Sequence, residues 1–435
     1  MDTMEKFAPD FLIGAATAAH QVEGGNIHSD YWAQEQLPHT SFAEPSGDAC
    51  DHYHRYEEDI ALLAAAGLNA YRFSIEWARI EPIEGGFDPA EIEHYRKVIA
   101  CCRKNGVEPI VTLHHFTSPK WLIAKGGWET ESTVQDFVDY TRFVVGRLGS
   151  ELKYICTINE ANMGLQLAAI AKRFQLMAAR ASQAPQAKNA EGTVQVGMNF
   201  AKMMENMKYA AAENASVFGT PQPQIFVSQR TPAGDALVMR AHQAARAAIK
   251  ALYPQMQVGV TLSMHDLQAQ PGGEGFADAA WAEEFTHYLP YIKDDDFLGV
   301  QNYTRTLYGP AGQMPAPAGA ELTQMDYEFY PKALENVLRR VAKDFKGDLL
   351  VTENGIATAD DTRRVAFIDE ALAGVRRCMA DGLPVKGYFH WSLMDNFEWQ
   401  KGFAMQFGLV AVDRAHGMQR TPKPSLAHLG HHRGE

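Results

Sequence analysis

The stretch YICTINE, Tyr154–Glu160, decides the fold prediction. It is largely apolar and β-branched and ends on an amide and a carboxylate, Asn159 and Glu160, which is typical of a buried strand that delivers polar groups to the edge of a sheet. Seven further runs of the chain have β-rich character: FLIGAAT from Phe11, AYRFSIEW from Ala70, EPIVTLHH from Glu108, QVGVTLSMHD from Gln257, FLGVQNYT from Phe297, DLLVTENG from Asp348 and VKGYFHWSL from Val385.

Segments with helical spacing lie between these runs. In AEIEHYRKVIACCRKNG, the apolar residues share one face and Gly106 supplies a stop signal, and TRRVAFIDEALAGVRRCMADG has the same pattern. Strict alternation of strand and helix implies right-handed crossovers and a parallel sheet, so eight units predict an α/β fold, a closed (β/α)8 TIM barrel. A doubly wound open sheet is the alternative, but no run is followed by G-x-G-x-x-G or a Walker loop.

The length of the chain predicts insertions in the barrel loops. The chain has 435 residues, whereas a minimal barrel needs about 250. The longest gap follows the fourth run, where segment 161–228 is rich in Ala, Gln and Met and predicts helices plus a polar loop, SQAPQAKNAEG. We expect one barrel domain over residues 1–435, with loop insertions at its C-terminal rim and the insertion 161–228 overhanging the mouth.

Composition excludes several classes of partner. The formal net charge of -13 argues against binding of a polyanion such as nucleic acid. No apolar stretch approaches the length of a membrane span, and the N-terminal apolar run is too short and too acidic in its flanks for a secretory signal, so a cytoplasmic location is expected. The five cysteines include no C-x-x-C pair, which argues against a disulfide framework and a thiolate zinc site; buried thiols are expected.

Two glutamates stand at matching ends of predicted strands. Glu160 ends the fourth strand and Glu353 lies at the end of the seventh. Either alone could be an ion-pair partner that joins neighbouring loops, because a buried carboxylate is costly unless it is paired. A facing pair is what glycosidic cleavage requires, and strands four and seven of an eight-stranded barrel could hold the two groups near the roughly 5 to 5.5 Å separation of retaining enzymes.

The histidines raise the question of a metal site. His52 and His54 lack a third ligand at a recognisable spacing. His114 and His115 are adjacent in a predicted strand, so their side chains point to opposite faces and both cannot bind one ion. The sequence therefore predicts no metal site, and glycosidic cleavage needs no cofactor.

Eight motifs occur in order along the chain: FLIGAATAAHQVEG, ACDHYHRYEEDIALL, YRFSIEWARIEP, TLHHFTSP, TINE, VTENG, WSLMDNFEW and FGLVAVD. Together they resemble the motifs of family 1 glycoside hydrolases, the β-glucosidase and β-galactosidase family of clan A, over essentially the whole chain. TENG alone would be weak evidence, but eight ordered matches at consistent spacing are specific.

The resemblance implies roles for the two glutamates. Glu160 would be the general acid/base and Glu353 the nucleophile of a double displacement through a covalent glycosyl-enzyme. Arg72 and Tyr303, whose family counterparts contact the nucleophile, would hold Glu353 ionised and oriented. This agrees with the chemistry, since Glu160 must be protonated when substrate arrives whereas Glu353 must be ionised from the start.

The resemblance also implies sugar contacts. Asn159 would hydrogen-bond a sugar 2-hydroxyl, and Trp391 would provide an aromatic platform beneath the ring. His115 taken alone is typical of a satisfied core histidine, but its place in TLHHF favours a sugar contact. The remaining expected contacts are Gln21, His115, Glu398 and Trp399. The carboxylate of Glu398 disfavours a 6-phosphorylated sugar, since relatives that cleave such substrates carry small and cationic residues at the places of Glu398 and Trp399.

Several positions depart from the family pattern. Ala161 stands where the family commonly has Pro, Phe116 and Thr117 where it has Trp and Asp, and Gln406 where it has Arg. The usual Asn of the sixth strand aligns with Gln301, which leaves Asn302 one place off. Both carboxylates and the main sugar contacts are intact, so the leaving-group side of the site is the part most affected.

We therefore expect an exo-acting, retaining β-glucosidase with side activity on β-D-galactosides and β-D-fucosides. Its partners would be small β-glucosides or cello-oligosaccharides, with no nucleic acid and no membrane; a homo-oligomer stays open. The alternatives are a transglycosylating β-glycosidase, a catalytically silent sugar-binding barrel, and a related barrel hydrolase that cuts polymers internally. Retention of both glutamates argues against the silent barrel, and the set Gln21, His115 and Glu398 argues for a pocket that holds a terminal sugar.

Overall fold

A computed structural model describes residues 6–180 and 195–434, except for the side chains of 173–180. The strands of this part of the chain are β1 (Leu12–Ala16), β2 (Ala70–Ser74), β3 (Glu108–His114), β4 (Tyr154–Ile158), β5 (Gln257–Ser263), β6 (Asp266–Ala269), β7 (Phe297–Gln301), β8 (Arg305–Gly309), β9 (Gly312–Met314), β10 (Asp348–Asn354), β11 (Val385–Trp391), β12 (Val410–Asp413) and β13 (Gln419–Pro422).

The helices of the same residues are α1 (Ala19–Val22), α2 (Asp30–Glu35), α3 (His52–Ala65), α4 (Trp77–Ile80), α5 (Pro89–Lys104), α6 (Lys120–Ala124), α7 (Ser132–Leu148), α8 (Met163–Arg180), α9 (Phe200–Phe218), α10 (Pro232–Leu252), α11 (Glu274–Glu284), α12 (Leu289–Ile292), α13 (Ala333–Val341), α14 (Asp361–Ala380) and α15 (Pro424–His431). Both segments predicted as helices from their periodicity are helical, within α5 and α14.

Parallel strands close into a barrel in the order β1, β11, β10, β7, β5, β4, β3, β2. Each of the eight β-rich runs contributes one barrel strand, so the predicted (β/α)8 TIM barrel is confirmed. The barrel closes where β1 pairs with β11, Leu12 opposite Gly387, and with β2, Gly14 opposite Ala70. The smaller sheets, β6-β8-β9 and β12-β13, lie outside this barrel.

Glycines such as Gly14 and Gly259 allow barrel strands to approach closely. A Cβ atom on Gly14 would lie 1.9 Å from the carbonyl oxygen of Ala70 in the neighbouring strand. A Cβ atom on Gly259 would lie 2.1 Å from the carbonyl oxygen of Phe297. Both distances are far below van der Waals contact, so any larger residue would force the strands apart.

Helix α5 illustrates how local sequence sets the outer layer. The side chain of Asp88 accepts a hydrogen bond from the Ala90 backbone N–H at 2.7 Å, and Pro89 occupies the first helical turn. Its buried residues are the predicted face: Ile92, Tyr95, Val98, Ile99 and Cys102. These side chains pack toward the barrel, while the charged residues of the helix face outward.

The insertion after β4 contains helices, as predicted, namely α8 and α9. The predicted polar loop SQAPQAKNAEG lies outside the described residues. Helix α9 is fastened to the segment before α3, because Lys202 Nζ donates to the carbonyl oxygen of Phe42 at 2.7 Å and Asn206 Nδ2 donates to that of Thr40 at 3.1 Å. The insertion therefore returns to the body of the barrel at α9.

Two further expectations concern the cysteines, which were expected to be buried thiols, and the helices. All five cysteines are free thiols; Cys101 is partly exposed and the other four are buried. No described helix combines bilayer-spanning length with a sufficiently apolar sequence.

Candidate active site

Two barrel strands bring Glu160 and Glu353 into one pocket. Glu160 lies just beyond the end of β4 and Glu353 is the next-to-last residue of β10, and they are only 2% and 3% exposed. The pocket is lined by His115, Phe116, Asn159, Glu160, Gln195, Val196, Tyr303, Glu353, Trp391, Glu398 and Trp399. Eight of the ten site residues predicted from the sequence are among these. The other two, Gln21 and Arg72, lie behind the pocket and contact residues of its wall.

Glu353 is held by three donors. Arg72 Nη1 donates to its Oε1 at 2.6 Å and Gln301 Nε2 donates to the same oxygen at 2.9 Å. The hydroxyl of Tyr303 donates to Oε2 at 2.6 Å. Both carboxylate oxygens are thus engaged, and the guanidinium supplies a full positive charge beside them.

Asn159 connects this cluster to His115. Its Oδ1 accepts from Arg72 Nη2 at 2.5 Å and from Gln301 Nε2 at 2.8 Å. Its Nδ2 therefore faces His115 Nε2, at 3.2 Å, and donates to it. The imidazole accepts at Nε2 and so carries its proton on Nδ1, which has no partner among the described residues. Burial and the Arg72 charge hold the pKa of His115 well below its usual range, so the ring is neutral.

Glu160 has a different environment. Its backbone adopts the left-handed region, with φ of 44°, and its N–H donates to Thr261 Oγ1 at 2.9 Å. Its Oε2 has no hydrogen-bond partner among the described residues. Burial, and then the neighbouring Glu353 charge, raise the pKa of Glu160 well above its usual range, while a hydrogen bond from Ser263 and the Arg72 charge act against this rise.

The two carboxyl groups are therefore electrostatically unequal. Burial also raises the pKa of Glu353, but the Arg72 charge and the hydrogen bonds from Tyr303, Arg72 and Gln301 all oppose that rise. At Glu160 the second-largest cause, the Glu353 charge, adds to the effect of burial. Of the pair, Glu353 therefore ionises more readily, and Glu160 retains its proton more readily.

Glu398 belongs to the pocket wall, and Gln21 contacts it from behind. Gln21 Nε2 donates to the carbonyl oxygen of Phe397 at 2.7 Å and reaches Glu398 Oε2 at 3.5 Å. The backbone N–H of Gly197, from the insertion, donates to Glu398 Oε1 at 2.9 Å. Burial, together with the Glu353 charge, raises the pKa of Glu398 to about 8. At neutral pH this carboxyl group is mostly protonated.

Aromatic rings surround these polar groups. The His115 ring is stacked with Trp391 at a centroid distance of 5.7 Å and with Trp399 at 6.1 Å. The Phe116 ring lies 5.2 Å from that of Trp399, and the peptide bond between Trp391 and Ser392 is cis. The pocket thus combines apolar ring faces with hydrogen-bonding groups, which complements the apolar faces and hydroxyl edges of a sugar ring.

Comparison with known proteins identifies the family. The model of glycosyl hydrolase family 1 matches residues 3–316 and 311–431. The chain belongs to glycosyl hydrolase family 1. The predicted resemblance is confirmed, and this protein is a glycoside hydrolase.

Its relatives include proteins named β-glucosidase and proteins named 6-phospho-β-galactosidase. A β-glucosidase of Agrobacterium is 30% identical over 94% of this chain and 91% of the relative. A 6-phospho-β-galactosidase of Lacticaseibacillus casei is also 30% identical, over 94% of each chain. Among solved structures, the β-glycosidase BGL167 is 45% identical with a TM-score of 0.85, over 98% of this chain and 96% of that one, and β-glucosidase 1317 is 41% identical with a TM-score of 0.85 over 97% of each.

The positions at which this family 1 hydrolase departs from the common pattern have definite contacts. Gln301 is in the site and touches both Glu353 and Asn159. Asn302 instead donates to the carbonyl oxygens of Met264 and Thr304, so it supports the loop after β7.

The remaining departures differ in their distance from the pocket. Phe116 lines the pocket, and Ala161 is buried beside Glu160. Thr117 Oγ1 donates to Glu76 at 2.7 Å and is not part of the pocket wall. Gln406 contacts Gln324 at 3.2 Å, also away from that wall. The change that most alters the surface of the pocket is therefore Phe116.

Three residues of the insertion belong to the site and were missed from the sequence. Gln195 and Val196 line the pocket and Gly197 donates to Glu398, and all three come from a segment with no motif and no periodic pattern. The separations hide them as well: Gly197 and Glu398 are 201 residues apart, and Gln195 and Tyr303 are 108 apart. The only sequence signal for this contact is Gly197 itself, since a residue with a side chain would not fit: a Cβ atom there would lie 2.9 Å from Glu398 Oε1.

The histidines weighed as metal ligands have other partners. His52 contacts Asp59 at 2.7 Å and Tyr71 at 3.1 Å, and His54 contacts Asp51 at 2.6 Å. His114 Nε2 lies 3.0 Å from Ser118 Oγ, whereas its neighbour His115 lines the pocket. Within the described residues, one other group could hold a metal ion, namely Asp369, His428 and His432, and none of these lines the pocket.

Proposed function

We propose that this family 1 enzyme is a retaining, exo-acting β-glucosidase that hydrolyses terminal non-reducing β-D-glucosyl residues. Glu353 is the nucleophile and Glu160 the general acid/base. One observation carries this assignment: in a single pocket, Glu353 receives hydrogen bonds from Arg72, Tyr303 and Gln301, whereas Glu160 keeps an unpartnered oxygen among the described residues and a strongly raised pKa.

In the first step, a carboxylate oxygen of Glu353 forms a bond to the anomeric carbon while the bond from that carbon to the leaving oxygen breaks. Glu160 donates its proton to the leaving oxygen, so the aglycone departs as a neutral alcohol. Glu353 has become an ester and lost its charge. Because that charge was a cause of the raised pKa of Glu160, the pKa of Glu160 falls once the intermediate forms.

In the second step, the now ionised Glu160 takes a proton from water as the water oxygen attacks the anomeric carbon. The ester bond to Glu353 breaks and returns the nucleophile as a carboxylate. Two inversions leave the product with the β configuration of the substrate. Asn159, oriented by Arg72, donates toward the sugar 2-hydroxyl, a contact that strengthens in the oxocarbenium-like transition state.

A 6-phosphorylated galactoside is the second candidate substrate, because relatives named 6-phospho-β-galactosidase are as similar as the glucosidases. The pocket supports the neutral sugar. The described residues that line it include three glutamates and neither lysine nor arginine. Because its pKa is raised, Glu398 repels a phosphate group less at neutral pH than an ionised carboxylate would. It still offers no positive charge to compensate for the hydration that a phosphate dianion loses on binding.

We further propose that the insertion 161–228 belongs to the single catalytic domain and overhangs the pocket mouth. Gln195 and Val196 line the pocket, and Gly197 donates to Glu398. The insertion then shapes the acceptor side of the site, where transfer of the glycosyl group to a sugar or glycoside in place of water would be decided.

The experiment that tests the function is release of nitrophenol from a panel of aryl glycosides. We expect cleavage of the β-glucoside, weaker cleavage of the β-galactoside and β-fucoside, and little cleavage of α-glucoside or 6-phospho-β-galactoside. Preference for the phosphorylated galactoside would overturn the substrate assignment, and no cleavage of any β-glycoside would overturn the activity.

The two glutamates are tested separately. Glu353→Gly should abolish hydrolysis and recover turnover with added azide, giving the α-glycosyl azide; the β-azide would mean that the two roles are exchanged. Glu160→Gln should slow poor leaving groups far more than activated aryl groups, since only poor leaving groups need the proton. Equal slowing of both would remove Glu160 as the leaving-group acid.

A further inference from the structure

Two histidines and a carboxylate form a cluster between α14 and α15, outside the wall of the active-site pocket. His428 is in α15, His432 directly follows that helix, and Asp369 lies near the middle of α14. The Nε2 atom of His428 is 2.7 Å from Asp369 Oδ1, and that of His432 is 3.1 Å from the same oxygen. Two imidazole nitrogens therefore converge on one carboxylate oxygen.

The spacing of the two histidines explains this convergence. Residues four apart on a helix lie on the same face, and His432 still has helical backbone angles. The two imidazole rings have a centroid distance of 5.3 Å and an interplanar angle of 82°. A histidine pair at this spacing is the arrangement through which one helix binds Zn²⁺ with two nitrogens. The carboxylate of Asp369, from the neighbouring helix, completes a ligand set of two histidines and one carboxylate.

The geometry of the cluster can accommodate an ion. The three ligand atoms lie within 4.8 Å of one another. A tetrahedral Zn²⁺ ion with bonds of about 2.1 Å separates its ligand atoms by about 3.4 Å, so Asp369 Oδ1 has to withdraw by about half an ångström. The Asp369 side chain is 47% exposed and the His428 side chain 21%. This exposure permits the withdrawal and gives an ion access from solvent.

The protonation state of His432 suits a metal ion, but its neighbour Arg376 competes with one. Burial, and then the charge of Arg376, lower the pKa of His432 to about 4, so the ring is neutral at neutral pH. Arg376 Nη1 donates to His432 Nδ1 at 3.2 Å, which leaves the ring proton on Nε2. An ion that binds Nε2 moves this proton to Nδ1, and the guanidinium then has to turn aside.

We propose that His428, His432 and Asp369 bind a divalent transition-metal ion of the Zn²⁺ class, and that the bound ion fastens α15 to α14. Imidazole nitrogen favours Zn²⁺, Ni²⁺ or Cu²⁺, whereas Mg²⁺ and Ca²⁺ prefer oxygen ligands. The cluster contributes nothing to the pocket, so the ion has no part in glycoside cleavage. This inference is therefore independent of the proposed function.

The position of the cluster gives the ion a structural effect. The carbonyl oxygen of His432 accepts a hydrogen bond from the backbone N–H of Phe7 at 2.8 Å, and the N–H of Gly434 donates to the carbonyl oxygen of Phe7 at 2.8 Å. Holding His432 in place therefore also holds the contact between the last helix and the segment that precedes β1. An ion that binds only the folded chain stabilises it by mass action.

The test is thermal unfolding and calorimetric titration of the full-length enzyme after treatment with a chelator. Zn²⁺ at about one hundred times its dissociation constant should raise the Tm by about 3 °C, and one ion should bind per chain. Mg²⁺ at the same concentration should leave the Tm unchanged. An equal rise with Mg²⁺, or no binding of Zn²⁺, would overturn the inference.

His428→Ala should abolish the rise in Tm that Zn²⁺ causes, because it leaves a single imidazole at the cluster. The matched control is His431→Ala, since His431 is an exposed histidine of the same helix outside the cluster, and here the rise should persist. Each variant is compared with and without Zn²⁺, so a change in its own stability does not enter the result. A rise that persists in His428→Ala, or is lost in His431→Ala, would mean an adventitious ion on surface histidines only.

Two further variants locate the ion. Asp369→Asn removes the charge and keeps a hydrogen-bond acceptor, and we expect Zn²⁺ to bind at least about tenfold more weakly, a loss usual even for residues that only support a metal ligand. Arg376→Gln removes the competing donor and its positive charge, so Zn²⁺ should bind at least about threefold more tightly. Unchanged affinity in both variants would overturn the inference, even where His428→Ala does not fold.

Discussion

Glu398 makes the stability of the fold depend on pH. Its pKa rises from 4.5 in the unfolded chain to about 8 in the pocket. Between these values the folded state keeps a proton that the unfolded state has released, so the free energy of unfolding falls as pH rises through this window. One such group changes it by at most about 1.4 kcal/mol per pH unit.

Glu398→Gln should therefore flatten this dependence. The amide cannot ionise, so we expect the melting temperature of the variant, relative to that of the wild type, to increase steadily from pH 5 to about pH 8. Calorimetry across this range measures the effect, with Glu57→Gln on the exposed surface of α3 as the control. A difference that does not change with pH would mean that Glu398 is ionised throughout.

Gly197 offers a second prediction for a single residue. A Cβ atom there would lie 2.4 Å from the backbone oxygen of Glu398 and 2.9 Å from its Oε1. Gly197→Ala should displace Glu398 and raise KM for aryl β-glucosides about tenfold, as loss of a hydrogen bond to an acidic group implies. Gly146→Ala in α7, where nothing lies within 4 Å, should leave KM unchanged. Equal KM values for the two variants would show that Gly197 does not contribute to sugar binding.

Residues of the site could be predicted from the sequence where a motif ends a strand, as at Glu160 and Glu353. They were not predictable where a contact depends on distant loops. The contact made by Gln301 was not predicted because Gln301 replaces the usual Asn, yet its longer side chain reaches both Glu353 and Asn159. The extra methylene group of glutamine allows this reach, which cannot be predicted from the sequence alone.

At the scale of elements, periodicity was sufficient for the barrel. Buried β-rich runs and one-faced helices such as α5 follow directly from burial of apolar side chains. The insertion was different: the helices α8 and α9 follow from composition, but the return of Gln195 and Gly197 to the pocket depends on hydrogen bonds with partners 68 to 201 residues away. Local pattern carries no information about such contacts.

Close packing of β1 against β2 gives a prediction for an element. Gly14→Ala would place a methyl group 1.9 Å from the carbonyl oxygen of Ala70. We expect a loss of about 1 to 3 kcal/mol in the free energy of unfolding, the usual cost of overpacking. Denaturant unfolding measures it, and Gly275→Ala in α11, where nothing lies within 4 Å, should be neutral or slightly stabilising. An unaffected Gly14 variant would show that the strands can separate at no cost.

At the scale of the whole molecule, charge and substrate class are linked. The chain carries a formal net charge of -13, and the described pocket wall contains neither lysine nor arginine. A neutral aryl β-glucoside experiences little of this field, whereas a phosphorylated sugar would be repelled at long range.

We therefore expect kcat/KM for the neutral glucoside to change less than about twofold between about 0.02 and 0.5 M NaCl, since salt screens only charges. Activity on a 6-phosphorylated galactoside, if measurable, should rise with salt. Initial rates at low substrate concentration give both values. A steep salt dependence with the neutral substrate would contradict this account.

The aromatic rings of the pocket wall also give the protein an intrinsic optical signal for sugar binding. Two of its seven tryptophans, Trp391 and Trp399, line the pocket, and both stack near His115. A sugar that settles among them displaces water from the indoles, so the intrinsic fluorescence should change on occupancy alone. Affinity could then be titrated in Glu353→Gly, with no turnover and no chromophore attached to the ligand.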